Sequence, residues 1–186
     1  MSRKKSKNYG FALIELIIVI VILAVLAISA TLKFLSVQDD TELAVAKSYA
    51  AVLQQEIKFI NARWILNGHS SRVNNLMGYG DDNLDLNDNG YVLGLNKGEP
   101  MGAPFNIGRG ARACADLWRS IIANAPSVSH NSNDQDYRSY RSQGINNNQS
   151  KCTYVLRKLG DTGNRNTGKV RIIYESVTGE VSFVTQ

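Results

Sequence analysis

Glycine and proline are absent from a long stretch near the start of the chain. Neither residue occurs between Phe11 and Asn67, although the 186 residues include 15 glycines and three prolines. Charge is also scarce there, because Glu15 is the only charged residue of this stretch before Lys33. Without helix-breaking residues the stretch has no place for a turn, and it is predicted to form one helix from Phe11 to about Leu66.

Acidic residues are absent from residues 1–10, which contain Arg3, Lys4, Lys5 and Lys7. Most of the formal net charge of +5 arises in this leader, since the rest of the chain has 17 basic and 16 acidic residues and a net charge of +1. A basic leader before an apolar run is a targeting pattern. The overall charge therefore does not indicate a nucleic-acid-binding protein.

Sequence patterns of an active site are missing as well. The only histidines, His69 and His130, lie in polar, turn-rich stretches without the spacing of metal ligands. The segment 108–110 has two glycines but neither the lysine nor the preceding strand of a phosphate-binding loop. No nucleophile stands beside a base in a recognisable motif. The sequence predicts a protein that is not an enzyme.

The apolar run from Phe11 to Leu32 is long enough to cross a bilayer, at about 33 Å as a helix. A secretory signal has a shorter apolar region of roughly 7–15 residues. The small residues of segment 28–30 nevertheless leave signal-peptidase cleavage open, and a plain single-pass anchor is open too. Neither alternative explains Glu15, because in a signal peptide or a plain anchor a carboxylate near the bilayer is energetically unfavourable and has no role.

The segment Gly10-Phe11-Ala12-Leu13-Ile14-Glu15 resembles the N-terminus of a type IV prepilin. The resemblance implies that a prepilin peptidase/N-methyltransferase cuts between Gly10 and Phe11 and that Phe11 is then N-methylated. It also implies an assembly role for Glu15, which would neutralise the α-amino group of a neighbouring subunit. A carboxylate in an apolar bundle is tolerable when it is paired with a cation in this way.

The same resemblance implies a division of the chain into three regions. Residues 1–10 are the cleaved leader, residues 11–38 the transmembrane and filament-core half of the long helix, and residues 39–186 its amphipathic half with a globular extracytoplasmic domain. The implied partners are other pilin subunits, the processing enzyme, an inner-membrane assembly platform and a surface ligand of unknown nature. The protein would be a single-pass inner-membrane protein with a cytoplasmic leader before it joins an extracellular pilus.

Three further segments are similar to subunits of mannose-sensitive haemagglutinin (MSHA) pilins: residues 34–40, 61–64 and 114–118. This similarity implies a major or minor subunit of an MSHA-like type IV pilus that serves surface attachment. The alternatives are a pseudopilin of a type II secretion system, a DNA-binding minor pilin and a membrane-anchored binding protein.

After Lys33 the helix is predicted to become amphipathic. Seven apolar residues recur at alternating spacings of three and four on one stripe, namely Leu43, Ala46, Ala50, Leu53, Ile57, Ile60 and Trp64. Because the repeat ends after three heptads, we expect the stripe to pack on the sheet of its own domain and not in a coiled coil. Asn67-Gly68 provides a helix stop.

The rest of the chain predicts one short helix and several strands. The helix is expected at 111–124, and the strands are expected at 83–86, 91–95, 152–157, 170–174 and 180–184. The predicted fold is α+β and type IV pilin-like. The apolar half of the long helix protrudes, the amphipathic half packs on an antiparallel sheet, and a disulfide closes a loop region.

Cys114 and Cys152 are the only cysteines. An even count in a chain delivered beyond the cytoplasmic membrane favours a disulfide between them, although two buried thiols are the alternative. The bridge would enclose a polar loop and stabilise the fold by about 3–4 kcal/mol in the chain-entropy model.

That enclosed loop contains a candidate ligand or adhesion site. Tyr137, Arg138, Tyr140 and Arg141 alternate aromatic and cationic side chains within the polar segment 127–150. Such residues stack on bases and pair with phosphates, and they equally suit a sugar or a protein partner. The alternative is a solvated, partly ordered loop without a ligand.

A partial calcium motif lies near the predicted hairpin. Asp85, Asn87, Asn89 and Tyr91 occupy alternate positions typical of a calcium loop, but Asn96 stands where the bidentate glutamate is expected. An Asx-rich hairpin turn explains the same residues without a metal. Calcium is thus a candidate, and no other cofactor is predicted.

Overall fold

The computed structural model of the protein describes residues 13–97, 105–108, 110–144 and 150–186. The chain divides into two compact units, Met1–Thr41 and Glu42–Gln186. The 54-residue helix α1 (Leu13–Leu66) belongs to both, as the lack of glycine and proline predicts. The fold is α+β: a long apolar N-terminal helix followed by sheets and a disulfide.

The described part of the first unit is helical throughout, and the large apolar side chains described there, such as Leu16, Ile20 and Phe34, are exposed. By length and composition alone, α1 is suited to cross a membrane. Side-chain hydroxyls along this part donate to carbonyls of the helix itself, as with Thr31 to Ala27 (2.8 Å) and Thr41 to Val37 (2.7 Å).

In the second unit α1 is amphipathic. Of the seven residues in the predicted stripe, the five from Ala46 to Ile60 are buried, while Leu43 and Trp64 at its two ends are half-buried. Gly68 takes a positive φ of 75° after the last turn and donates its N–H to the carbonyl of Ile65. The helix therefore ends in a glycine cap at the predicted stop.

A two-stranded antiparallel sheet follows, formed by β1 (Leu84–Leu86) and β2 (Val92–Leu95). The strands are joined by a tight turn in which the N–H of Gly90 donates to the carbonyl of Asn87 at 2.9 Å. Helix α2 (Ala113–Ile121) comes next and is shorter than the predicted 111–124, because Ile122 is already extended.

The main sheet has five strands in the order β3-β4-β5-β6-β7. They are β3 (Val128–Ser129), β4 (Tyr137–Ser142), β5 (Lys151–Leu156), β6 (Val170–Glu175) and β7 (Val181–Thr185). β3 pairs with β4 in parallel, while the other neighbours are antiparallel. The sheet is therefore mixed, and its three C-terminal strands match the predicted ones to within one residue at each end.

The interpretation of residues 127–150 as a solvated loop is wrong for residues 137–142, which form β4. β4 is paired along its whole length with β5 and, on its other side, over its first two residues with β3. Tyr137 and Ser139 face the core from alternate positions, which gives this polar segment a buried side.

The core of the second unit centres on Trp118 of α2. Its ring lies 4.5 Å from that of Tyr154 and 5.0 Å from that of Tyr137, and its indole N–H donates to the carbonyl of Pro126 at 3.1 Å. Tyr49 of α1 approaches the same indole at 6.3 Å. The aromatic cluster joins α1, α2 and the main sheet in one core.

Candidate functional site

Glu15 lies in the first turn of the described part of α1. A carboxylate there is favoured by the partial positive charge of the helix N-terminus. Gly10 and Phe11 lie outside the described residues, so leader cleavage and N-methylation stay predictions. The assembly role of Glu15 also stays a prediction.

The disulfide joins α2 to the start of β5. Cys114 and Cys152 are both fully buried, and their Cα atoms lie 5.5 Å apart. The hydroxyl of Tyr154 donates to the carbonyl of Cys114 at 2.9 Å, so a hydrogen bond supports the covalent link. The bridge closes a segment that includes β3 and β4, and this segment belongs to the sheet.

The four candidate ligand residues of β4 divide between the two faces of the main sheet. Tyr137 is buried against Trp118, and burial raises the pKa of its phenol. Arg141 also points inward, donating to the carbonyls of Ile107 (3.0 Å) and Gly108 (3.3 Å). Burial lowers the pKa of the Arg141 guanidinium. These two side chains have structural roles here.

Arg138 and Tyr140 share the opposite side, which we call the outer face: the face of the main sheet turned away from Trp118. The Arg138 guanidinium lies 5.3 Å from the centre of the Tyr140 ring and donates to Asn133 Oδ1 at 2.9 Å. Arg157, directly after β5, donates to the Tyr140 hydroxyl at 2.9 Å and to the carbonyl of Asp161 at 2.6 Å.

Sequence reasoning missed two arginines of the outer face, Arg157 and Arg171. Arg171 lies in β6 opposite Val155, which in turn pairs with Arg138, so the two arginines share one row across three strands. The alternation of apolar and polar residues in 170–175 predicts that Arg171 faces away from the core. The signal was present, but the strand pairing that aligns it with Arg138 cannot be read from the sequence.

The oxygens of the partial calcium motif are used within the fold. Asp85 is fully buried, and its carboxylate accepts hydrogen bonds from the backbone N–H groups of Asn75 (2.9 Å) and Lys97. Within the described residues, no cluster of three or more His, Cys, Asp or Glu could hold a metal ion. The buried carboxylate does not fit a calcium ligand in this arrangement.

Asn87 likewise organises the turn from within. Its Oδ1 accepts from the N–H groups of Asn89 (2.9 Å) and Tyr91 (3.0 Å), while its Nδ2 donates to the carbonyl of Ser176 (2.6 Å). This is the Asx-turn arrangement, in which the side chain replaces a backbone partner. Calcium binding at these residues stays a prediction that the hydrogen bonds do not favour.

One comparison with known proteins gives a match. A family model described as the prokaryotic N-terminal methylation motif matches residues 5–31. No curated protein and no solved structure matches the chain. The match ends within the apolar part of α1, so it covers neither the core nor the outer face.

Proposed function

We propose that this chain, which carries the methylation motif of type IV pilin-like and pseudopilin-like proteins, is a structural subunit of an MSHA-like type IV pilus. It would serve as a major or minor subunit in surface attachment and have no enzymatic activity. The observation that carries the proposal is the motif at residues 5–31, followed by helix without a break to Leu66.

The chemistry of the N-terminus supports assembly through α1. Cleavage after Gly10 would create a cationic α-amino group on Phe11 at the end of an apolar helix. A charge in such surroundings is costly unless an opposite charge meets it. Glu15, on a neighbouring copy, would provide that charge and would fix the axial register of the two helices.

The proposed role in surface attachment rests on short sequence similarities. Segments 34–40, 61–64 and 114–118 are similar to MSHA subunits. Segment 34–40 lies on α1, and segment 114–118 forms most of α2, next to the aromatic core. Disulfides persist outside the reducing cytoplasm, so the Cys114–Cys152 bridge fits a protein that reaches the cell surface.

The proposal is tested in the native host by comparing Glu15→Gln with Asp39→Asn. Each variant removes one negative charge from α1, but only the first lies in the apolar segment. Filaments sheared from the cells should contain the wild-type and Asp39→Asn subunits and lack Glu15→Gln. Mass spectrometry of the sheared subunit should show a chain that begins at methylated Phe11. Filaments that incorporate Glu15→Gln at the wild-type level would contradict the assembly role.

A type II secretion pseudopilin is the second candidate, because its N-terminus carries the same kind of motif. A deletion strain separates the two. Loss of surface filaments and attachment, with secretion intact, supports the pilus subunit. Loss of secreted enzymes, with filaments and attachment intact, supports the pseudopilin instead.

A further inference from the structure

We propose that the outer face of the main sheet binds nucleic acid through its phosphates, with Arg138 and Arg171 as the principal contacts and the buried Arg157 as a positioning residue behind Tyr140. The proposal concerns a surface of the second unit and does not rest on filament assembly. It assigns a ligand class to a face that the N-terminal motif does not cover.

The three arginines share an unusual feature. Within the described part of the chain, four buried side-chain polar atoms have no hydrogen-bond partner, and three of them are the Nε atoms of Arg138, Arg157 and Arg171. Arg138 and Arg171 lie in one cross-strand row, roughly 10 Å apart for two strand spacings. Arg157 follows Val155 of that row by two residues and therefore extends the same face.

Neutral oxygens hold these guanidinium groups in place. Asn133 Oδ1 accepts from Arg138, the carbonyl of Asp161 from Arg157, and the carbonyls of Arg165 and Asn166 from Arg171 at 3.1 and 2.8 Å. Among the described residues, the ion pairs involve other basic side chains: Arg72, Arg119, Lys151 and Lys158. Arg138 and Arg171 are thus oriented while their charge stays available to an anion, and the planar guanidinium suits phosphate oxygens. Arg157 is only 6% exposed and acts from within the fold by holding the Tyr140 hydroxyl.

The charge of the second unit is also uneven. Residues 42–126 contain eight basic and eight acidic residues, whereas residues 127–186 contain eight basic and five acidic ones. The net charge of the chain without its leader conceals this difference. The surplus of basic residues thus lies in the part of the chain that forms the outer face, and a basic surplus is the electrostatic requirement of nucleic-acid binding.

The surface next to the arginines has a cleft that could hold a strand of nucleic acid. A cleft of about 450 Å³ is lined by Lys151, Thr153, Arg165 and Arg171 among other residues. Its two acids are Glu175 and Glu180, and Glu175 is offset by Lys151 at 3.4 Å. The cleft therefore has a surplus of positive charge.

Tyr140 favours nucleic acid over an acidic polysaccharide. It pairs in register with Thr153 of the first cleft and also borders a second cleft of about 290 Å³, beside His130. Its hydroxyl and ring are fixed by Arg157 and Arg138. A rigid aromatic side chain among phosphate-binding arginines is the arrangement on which bases of a single strand stack.

The test compares two double variants of the full-length protein in detergent micelles. Arg138→Gln/Arg171→Gln removes two charges from the outer face, while Arg72→Gln/Arg119→Gln removes two charges elsewhere. Binding of a fluorescent single-stranded DNA oligonucleotide is measured by anisotropy at several salt concentrations. The outer-face variant should lose about tenfold or more in affinity, and its salt slope should fall by about 1.4. The second variant should bind like wild type.

A third variant, Tyr140→Leu, should weaken binding of the single strand by about tenfold. Its thermal midpoint should also fall, because the buried Arg157 loses the hydroxyl that accepts its hydrogen bond. Near-ultraviolet circular dichroism of every variant confirms that the core is intact. The proposal is overturned if the wild type does not bind DNA, if both double variants lose affinity equally, or if heparin binds the outer face and DNA does not.

Discussion

Tyr154 is linked to Cys114 in two ways, by a direct hydrogen bond and by the disulfide of Cys114 to a residue near Tyr154 in β5. The Tyr154 hydroxyl donates to the Cys114 carbonyl at 2.9 Å, and Cys114 is bonded to Cys152, two residues before Tyr154 in β5. Burial raises the pKa of Tyr154, so its hydroxyl remains a donor throughout the physiological range. Helix α2 is therefore held on β5 by a contact that survives reduction of the disulfide.

Removing the disulfide should destabilise the second unit without changing its fold. The variant Cys114→Ala/Cys152→Ala should lower the free energy of unfolding by about 3–4 kcal/mol, because the unfolded chain regains the freedom of the closed segment. Urea denaturation followed by near-ultraviolet circular dichroism measures the change. Dithiothreitol should lower the midpoint of the wild type and leave that of the double variant unchanged; equal responses would refute the prediction.

Two isoleucines of α1 provide a matched test of the buried stripe. Ile57 is 0% exposed and Ile65 is 59% exposed. Ile57→Ala should cost about 2–5 kcal/mol because it leaves a cavity in the core. Ile65→Ala should change the free energy of unfolding by less than about 1 kcal/mol. Chemical denaturation of the full chain in micelles measures both. Equal costs would show that the stripe is not the packed face.

Asp136 should make stability depend on acid pH. Burial opposes its ionisation, but hydrogen bonds from Ser127 (2.7 and 2.9 Å) and the nearby charge of Lys158 outweigh it and hold the pKa below the ordinary 3.8. Its stabilising contribution is therefore full above the unfolded value of about 3.8 and is lost as pH falls through the lower folded pKa.

The variant Asp136→Asn should therefore have a lower free energy of unfolding than the wild type at pH 7. Between pH 4 and pH 2 its free energy of unfolding should fall by less than that of the wild type. The control is Asp134→Asn, which removes a neighbouring carboxylate that accepts a hydrogen bond from the Ser132 hydroxyl at 2.6 Å. Urea midpoints measured across this range compare the three proteins. An Asp136→Asn profile parallel to that of wild type would exclude the linkage.

Calcium should leave the thermal midpoint unchanged. The Asp85 carboxylate and the Asn87 amide already accept backbone hydrogen bonds, so a calcium ion would have to displace them. Calorimetry in millimolar calcium and in EDTA checks this expectation. A midpoint that rises with the logarithm of calcium concentration would instead indicate binding to the folded state, and Asp85→Asn would then identify the ligand.

The sequence predicts the helical part of the fold well, because the signals there are local. The absence of glycine and proline up to Leu66 and the spacing of apolar residues from Leu43 to Trp64 depend only on the chain itself. The glycine cap at Gly68 is equally local. The two cysteines could be paired because there is only one possible partner for each.

The outer face shows where such reasoning stops. The polar sequence of β4 predicts a loop, because its strand character depends on pairing with β5 and on Trp118, which packs against Tyr137 on one side of it. The sequence predicts that the four candidate ligand residues form one site, yet the two-residue period of a strand directs Tyr137 and Arg141 inward. Long-range pairing, which the sequence does not reveal, brings Arg171 to Arg138.

The hydroxyl groups of the apolar part of α1 have a consequence for its surroundings. Ser29 and Thr31 donate to the carbonyls of Val25 and Ala27 one turn earlier, at 3.1 and 2.8 Å. These hydroxyls therefore need no hydrogen-bond acceptor from a neighbouring acyl chain or helix. These two hydroxyl groups can therefore pass from lipid into a bundle of apolar helices without breaking a hydrogen bond.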